Sequence, residues 1–278
     1  MITNIHYFRP NTFDEASALL ATTNTRNIAI AGATSWAYNV DINAETLIDL
    51  GQLGLDQIEQ IGEQIHIGAM VSLQMLVETG QTVADNHPLY LLNLAAHDMA
   101  AIGLRHRSTI GGAIISADNA SPIVTALLAL NAEVLLFSPN SKDQRKTVAL
   151  AGFLDYHPRL LKDGVIVLGL IVPILNMNTV IHYEKVARTP ADYPIVCVAS
   201  VYAIANNVLA NVRIAAGGVA AKPVLLSNLC FALASKPPSQ LNISLNPALA
   251  VLNPPSNWLG SSDYRRAMVG VLIKRSLK

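Results

Sequence analysis

Two stretches of the chain are built so that backbone, rather than side chain, can approach a ligand. AIAGATS at 29–35 follows a short β-branched run, and STIGGAI at 108–114 follows Arg105, His106 and Arg107. Small residues clear the space around successive peptide N–H groups, and glycine permits the positive φ that turns such groups toward one point. Consecutive amides arranged in this way form concavities for anions. Two of them, remote in sequence, suit the two phosphates of one dinucleotide, with the hydroxyls of Thr34, Ser35 and Thr109 as further donors. Neither stretch has the G-x-G-x-x-G spacing and neither leads into Gly-Lys-Ser/Thr, so the Rossmann fingerprint and the P-loop are both excluded. An ordinary turn is the competing reading of Gly111-Gly112.

Other chemistry is poorly served. His87, His97, His157 and His182 show no metal spacing such as H-E-x-x-H. His66 alternates with Ile65 and Ile67, as on a strand with the imidazole facing outward, and His106 reads as a solvated loop residue. There is no G-x-S-x-G elbow and no convincing pair of carboxylates, which argues against hydrolysis. The two cysteines, Cys197 and Cys230, make no disulfide framework, zinc site or iron–sulfur site. Cys197 lies in the apolar run IVCVASVY and is expected to be a buried, inert thiol. A reducing, cytoplasmic compartment follows as the expectation.

The elements that must position the small-residue stretches follow from periodicity. NTFDEASALLA predicts a helix capped by Asn11 or Thr12; Ile28 and Ile30 mark a strand feeding the first stretch; ETLIDL (45–50) is a second strand. QIHIGAMVSLQMLVET (64–79) passes from strand to helix at Gly68, residues 88–101 read as helix, and RHRSTIGGAIISADNASP reads as a loop with a short strand. IVTALLALNAEVLLFS (123–138) is helix then strand, and VIVLGLIVP (165–173) is a buried strand. Strand-like runs at 182–186, 195–204 and 209–218 follow, then a C-terminal helix capped by Ser261 or Ser262 with Met268, Val269, Leu272, Ile273 and Leu277 on one stripe. The change of character places a domain boundary near 175.

The 278 residues are 51% hydrophobic and only 14% charged, against about 25% charged in typical soluble domains, and mean hydropathy is +0.37. The most apolar stretch, VIVLGLIVPIL, contains Gly and Pro and falls short of the roughly 20 residues of a membrane span. The N-terminal MITNIHYFRP shows no signal-peptide pattern. A subunit that buries surface against partners and a plain large core both account for the composition. Net charge is +0, which excludes an electrostatic footprint for nucleic acid.

Several collinear segments resemble one family. FRPNTFDEASALLA, IAIAGATSWAYNV with ETLIDL, IHIGAMVSLQML, IGLRHRSTIGGAIISADNASP, YEKVARTPADYPIVCVA, VRIAAGGVAAKPV and GSSDYRRAMVGVLIKRSL resemble, in order, segments of the flavoprotein subunit of the xanthine dehydrogenase and carbon monoxide dehydrogenase molybdenum hydroxylases. The resemblance implies an α+β fold. A two-subdomain FAD-binding domain of the PCMH-like type would occupy about 1–175, with subdomains about 1–55 and 56–175. A C-terminal α/β domain with an antiparallel sheet would fill 176–278. It implies FAD held by Ala31, Gly32, Ala33, Thr34 and Ser35 of the first stretch and by Ile102, Arg107, Ser108, Thr109, Gly111, Gly112 and Ala113 around the second. Asp118 is a candidate for ribose or ribityl hydroxyls, Lys185 for a cation near the flavin, and Tyr193 for stacking on its ring, against bland readings as surface lysine and core tyrosine. Electrons would pass from iron–sulfur clusters through FAD to an external acceptor, with a molybdopterin-binding large subunit and a 2Fe-2S small subunit as separate chains. No catalytic acid or base is implied in this one.

The chain departs from the family pattern at four places. Ala33 stands where a second Gly is usual, which is inexpensive if φ is negative there. Ala113 replaces a frequent Asn, Ser108 a frequent Gly, and a gapless alignment sets Pro122 at a frequent Asp, so that Asp118 serves only in a shifted register. Each lost hydrogen bond costs about 1–2 kcal/mol of ligand binding. A flavin-free subunit that only supports assembly is therefore the open alternative. A stand-alone flavin oxidase of the vanillyl-alcohol type would need a base over the flavin that the sequence does not offer.

Overall fold

The computed structural model describes residues 5–23, 25–38, 41, 43–190, 192–237 and 249–277. The chain forms two compact units that interleave along the sequence. One comprises Met1–Leu73, Ile102–Ser116 and Glu133–Val172; the other comprises Gln74–Ala101, Ala117–Ala132 and Pro173–Lys278.

The first unit begins with strand β1 (His6–Phe8) and helix α1 (Phe13–Leu20). Thr12 caps α1, accepting from Glu15 N at 3.2 Å, while the Glu15 carboxylate takes the Asn11 N–H at 3.0 Å. Strand β2 (Asn27–Ile30), short helix α2 (Thr34–Tyr38) and strand β3 (Thr46–Asp49) complete a parallel sheet of order β1-β3-β2. Strands β4 (Ile58–Ile61) and β5 (Gln64–Gly68) pair as a hairpin, and Ile65 and Ile67 point inward as the alternation predicts. Helix α3 (Leu73–Gly80) carries the chain out of this unit and helix α4 (Pro88–His97) follows in the second.

The chain returns to the first unit with helices α5 (Ile102–Arg107) and α6 (Ile110–Ser116), crosses to helix α7 (Pro122–Ala129) in the second, and returns again with strands β6 (Glu133–Phe137) and β7 (Arg145–Ala149), helix α8 (Leu150–Leu160) and strand β8 (Ile166–Pro173). These strands give a five-stranded sheet of order β4-β5-β8-β6-β7. The apolar run of β8 is buried along nearly its whole length. Ala16 of α1, Ile48, Leu50, Phe137, Ile166 and Leu168 share one core, with the Phe13 and Phe137 rings 5.7 Å apart.

The second unit is built on strands β9 (Thr179–Val186), β10 (Val196–Ala205), β11 (Val208–Gly217) and β12 (Val224–Leu225), an antiparallel sheet of order β12-β11-β10-β9. Asn206 and Asn207, both at positive φ (51° and 59°), make the two-residue turn between β10 and β11, the backbone that a tight hairpin requires. Helix α9 (Ser227–Leu233) and helix α10 (Ser262–Ser276), the latter capped by Ser261, pack on this sheet. Val269, Leu272, Ile273 and Leu277 form the buried stripe of α10, against Val198, Tyr202 and Ile214. Cys197 points instead toward α7, its Sγ 3.4 Å from Thr125 Oγ1, and burial pushes its thiol up to about 12.

One member of the α10 stripe is a cation. Arg265 is only 1% exposed. It donates to Ile195 O, to Gly218 O at 3.3 Å and to Asn257 Oδ1 at 2.8 Å. Arg265→Ala would leave those acceptors unpaired and is expected to cost about 2–4 kcal/mol in urea unfolding. Arg275→Ala, on an exposed side chain of the same helix, is expected to stay within about 0.5 kcal/mol.

Candidate functional site

Strand β2 feeds the first small-residue stretch directly. Ile30 pairs with Asp49 at the end of the ladder, the chain bends at Ala31 and Gly32, and α2 starts at Thr34. Ala33, between them, has φ +56°. The condition under which alanine is inexpensive there, a negative φ, is not met. The left-handed conformation strains a residue with a Cβ by about 1–2 kcal/mol. A left-handed residue of this kind is one component of an anion nest. Among the described residues no hydrogen bond takes the N–H groups of Gly32, Ala33, Thr34, Ser35 or Trp36. The Trp36 indole Nε1 is likewise a buried donor with no partner among them. Trp36 was not singled out by sequence, although it is the one large aromatic beside the small-residue run.

The second stretch is not the loop and short strand expected of it. Residues 102–107 and 110–116 are helical, broken only at Ser108 and Thr109. Thr109 explains the restart: its Oγ1 accepts from Gly112 N at 3.1 Å and its carbonyl from Ala113 N at 3.0 Å, the bonding of a helix N-cap. Residues flanking Thr109 are tied to the segment after β5, Leu73 N donating to Ser108 O at 2.9 Å and Ile110 N to Val71 O at 3.0 Å. Gly111 N donates to Ala69 O at 3.0 Å, and a Cβ at Gly111 would lie 2.8 Å from that oxygen and from Ala69 Cβ. The glycine at 111 is thus required by close packing. Ala113 is buried, Gly112 is exposed, and Ile102 presents its side chain to solvent on α5.

The two stretches meet within the first unit. A Cβ on Gly32 would stand 1.5 Å from the Arg107 carbonyl oxygen. Ser108 Oγ donates to Thr34 Oγ1 at 3.1 Å across a sequence separation of 74. Gly32, Thr34, Arg107, Ser108 and Thr109 therefore belong to one place. Arg107 contributes its main chain to that contact while its side chain is exposed.

Asp118, Lys185 and Tyr193 lie in the second unit and belong to a polar cluster there. Burial raises the Asp118 carboxyl above its usual range. The Tyr193 hydroxyl is buried without a hydrogen bond of proper geometry among the described residues, and burial first, then the Asp118 charge, pushes its ionisation far up. Lys185 Nζ lies 3.2 Å from Asp98 Oδ1 and donates to Pro190 O at 2.8 Å and Asp192 O at 3.4 Å. Tyr183 and Asp98, absent from the sequence candidates, belong to the same cluster: the Tyr183 hydroxyl is buried without a well-formed bond, and its ionisation is raised chiefly by burial. The Y-x-K spacing at 183–185 puts both side chains on one strand face. Pro122, at the position of a frequent Asp, takes the first turn of α7 behind the Ser121 cap, where a missing N–H costs nothing. Among the described residues no helix is long and apolar enough to cross a membrane.

Residues 3–175 match the model of the FAD binding domain in molybdopterin dehydrogenase, and residues 181–278 match that of the CO dehydrogenase flavoprotein C-terminal domain. The glyceraldehyde dehydrogenase medium chain of Sulfolobus acidocaldarius is 29% identical over 290 residues, covering 98% of this chain and 96% of that one. The carbon monoxide dehydrogenase medium chain of Hydrogenophaga pseudoflava is 28% identical over 278 residues, covering 98% and 95%. A solved structure of carbon monoxide dehydrogenase from Hydrogenophaga pseudoflava, lacking the Mo-pyranopterin moiety of its cofactor, superposes with a TM-score of 0.90 at 28% identity, covering 99% of this chain and 96% of that one.

Two substitutions read the geometry of the first stretch. Gly32→Ala forces a methyl onto a main-chain carbonyl and is expected to destabilise the protein by about 1–3 kcal/mol, seen as a lower thermal midpoint. Ala33→Gly removes the left-handed strain but loosens the unfolded chain by about 0.4–1 kcal/mol. The expected result is a small net gain, a midpoint raised by about 1–3 °C in differential scanning calorimetry.

Proposed function

The chain belongs to the family of FAD-binding subunits of molybdopterin dehydrogenases, and from that premise we propose that it carries electrons through FAD between the iron–sulfur clusters of a partner chain and an external acceptor. It is a subunit of an oxidoreductase, and FAD is its cofactor. The observation that carries the reading is the meeting of Gly32 and Thr34 with Arg107 and Ser108.

The residues present fit the cofactor. A diphosphate needs convergent donors, and the open N–H groups from Gly32 to Trp36 supply them around the left-handed Ala33. The Ser35 hydroxyl and the exposed Gly112 lie in the same two stretches. Ala31, Gly111 and Ala113 act by shaping the backbone, and Ile102 and Arg107 stand at the second stretch. Asp118, Lys185 and Tyr193 remain sequence-based candidates for contacts to the flavin half. When bound, FAD supplies a ring that accepts and releases electrons, while the chain holds and orients it.

Partner chains follow from the cysteines. Cys197 is held between Thr125 and Ala120 O, and the Cys230 sulfur accepts from Ile214 N at 3.1 Å. Neither is available to ligate a cluster, so a 2Fe-2S small subunit and a molybdopterin-binding large subunit are the proposed partners, with substrate oxidised on the latter. Two free thiols accord with a reducing, cytoplasmic setting. By descent, about 1–175 (subdomains about 1–55 and 56–175) would be the flavin-binding domain and 176–278 the C-terminal domain, a division distinct from that by packing.

The second reading, a flavin-free assembly subunit, is favoured by the buried, donor-free side chain of Ala113 and by Pro122 where the family often has Asp. The visible spectrum separates the two. Protein co-purified with its companion chains is expected to show flavin absorbance released on denaturation; a colourless protein that stays colourless with added FAD would overturn the first reading. Thr34→Val and Ser108→Ala are each expected to weaken FAD binding about 5- to 10-fold, as one hydrogen bond of about 1 kcal/mol is lost, measured by flavin fluorescence titration.

A further inference from the structure

We infer that Lys185 is a positioning residue: its ammonium clamps the connection between β9 and β10 that presents Tyr193, with Asp98 balancing its charge. An ammonium has three N–H donors and no acceptor. Lys185 has three acceptors within the second unit, Asp98 Oδ1 at 3.2 Å, Pro190 O at 2.8 Å and Asp192 O at 3.4 Å. Its side chain is 12% exposed. Two main-chain carbonyls accept from the ammonium and a carboxylate pairs with it, so it is held by this chain's own atoms.

The surroundings show what is being held. Asp98 is the C-cap of α4, so the clamp also sets a positive charge at the negative end of that helix. The connection is closed at its root by Ile195 N donating to Val186 O at 2.8 Å, and Asp192 N donates to Thr189 O at 3.1 Å. On its outer side Arg188 pairs with Asp192 at 3.5 Å and lies 5.0 Å over the exposed Trp258 ring. Those contacts are largely solvated and hold weakly. Lys185 reaches the main chain on both sides of the bend from within. Tyr193 follows Asp192 directly, so the clamp fixes the phenol beside Asp118 and Ser121. Only the use to which Tyr193 is put rests on the flavin reading.

The test is hydrogen–deuterium exchange on the full chain without added flavin. Lys185→Met is expected to speed exchange of peptides covering Asp192 and Ile195 at least about 10-fold, the effect of about 1.4 kcal/mol of local stability, while β11 is unchanged. Lys185→Arg, which keeps the charge and donors, is expected to restore most of the protection. Should Lys185→Met fold poorly because Asp98 is left unpaired, Lys185→Met combined with Asp98→Asn removes both charges and is expected to show the same local loosening. Unchanged exchange in both variants overturns the proposal. With FAD added, the flavin circular dichroism of Lys185→Met is expected to change and that of Lys185→Arg to revert. A changed dichroism with unchanged exchange also overturns the proposal, by making Lys185 a direct flavin contact. A chain that binds no flavin refutes the flavin reading, yet its exchange still decides the clamp.

Discussion

The arrangement of the first unit's candidate site turns on one steric requirement, that Gly32 lie against the Arg107 carbonyl with no room for a side chain. Main-chain-to-main-chain approach of this kind fixes two segments more tightly than a hydrogen bond between mobile side chains, because neither partner has rotamers to change. The contact explains why small residues gather where they do. Gly32 meets Arg107, Gly111 meets Ala69, and the Ser108–Thr34 hydroxyl pair lies beside them. The glycines bring backbones together, and among the described residues the N–H groups from Gly32 to Trp36 donate no hydrogen bond.

The second unit solves a related problem with cations. Arg213 donates to Leu128 O at 3.0 Å and to Ala129 O at 3.1 Å, at the C-terminus of α7. Arg265 takes the carbonyls of Ile195 and Gly218, and Lys185 those of Pro190 and Asp192. In a chain with only 14% charged residues, these three and Arg266, which donates to Leu252 O at 3.0 and 3.2 Å, serve as clips on main-chain carbonyls. Unpaired buried carbonyls cost about as much as a lost hydrogen bond, so these side chains let irregular connections be held in place. Lys185 and Arg266 each have a carboxylate beside them, Asp98 and Asp263. Arg265 relies on neutral oxygens, an arrangement that an always-protonated guanidinium tolerates better than an ammonium.

Much of this was legible in the sequence where one local rule governed the outcome. The Thr12 and Ser261 caps, the alternation of β5, the continuous apolar run of β8 and the stripe of α10 each follow from period or capping chemistry. Strands β1, β4 and β7 left weaker traces, since short edge strands carry little periodicity, while helix α8 carries Pro158, a residue that usually ends a helix. The stretch after Arg107 was misread because Gly-Gly is the usual mark of a turn. Here Thr109 caps a helix, and tertiary contact with Ala69 overrides glycine's low helix propensity. The left-handed backbone at Ala33 was hidden for the opposite reason: alanine carries no sign of positive φ. The partners of Lys185 were equally invisible, since Asp98 and Pro190 are distant or unmarked in sequence.

Ala33 also shows how the site tolerates its departures from the family pattern. A residue held at φ +56° stays there only when its neighbours over-determine the turn. Those neighbours are identifiable: β2 is locked to β3 up to Ile30, Gly32 is pressed against Arg107, Thr34 is bonded to Ser108, and Ala37 N donates to Ala33 O at 2.9 Å. All of these are contacts of the protein with itself. Pre-set donors do not have to be ordered on binding. On the proposed flavin reading, such a saving would act against the side-chain donor absent at Ala113. Serine at 108 has the same sense: where the family more often has glycine, this chain gains a hydroxyl that ties its two stretches together.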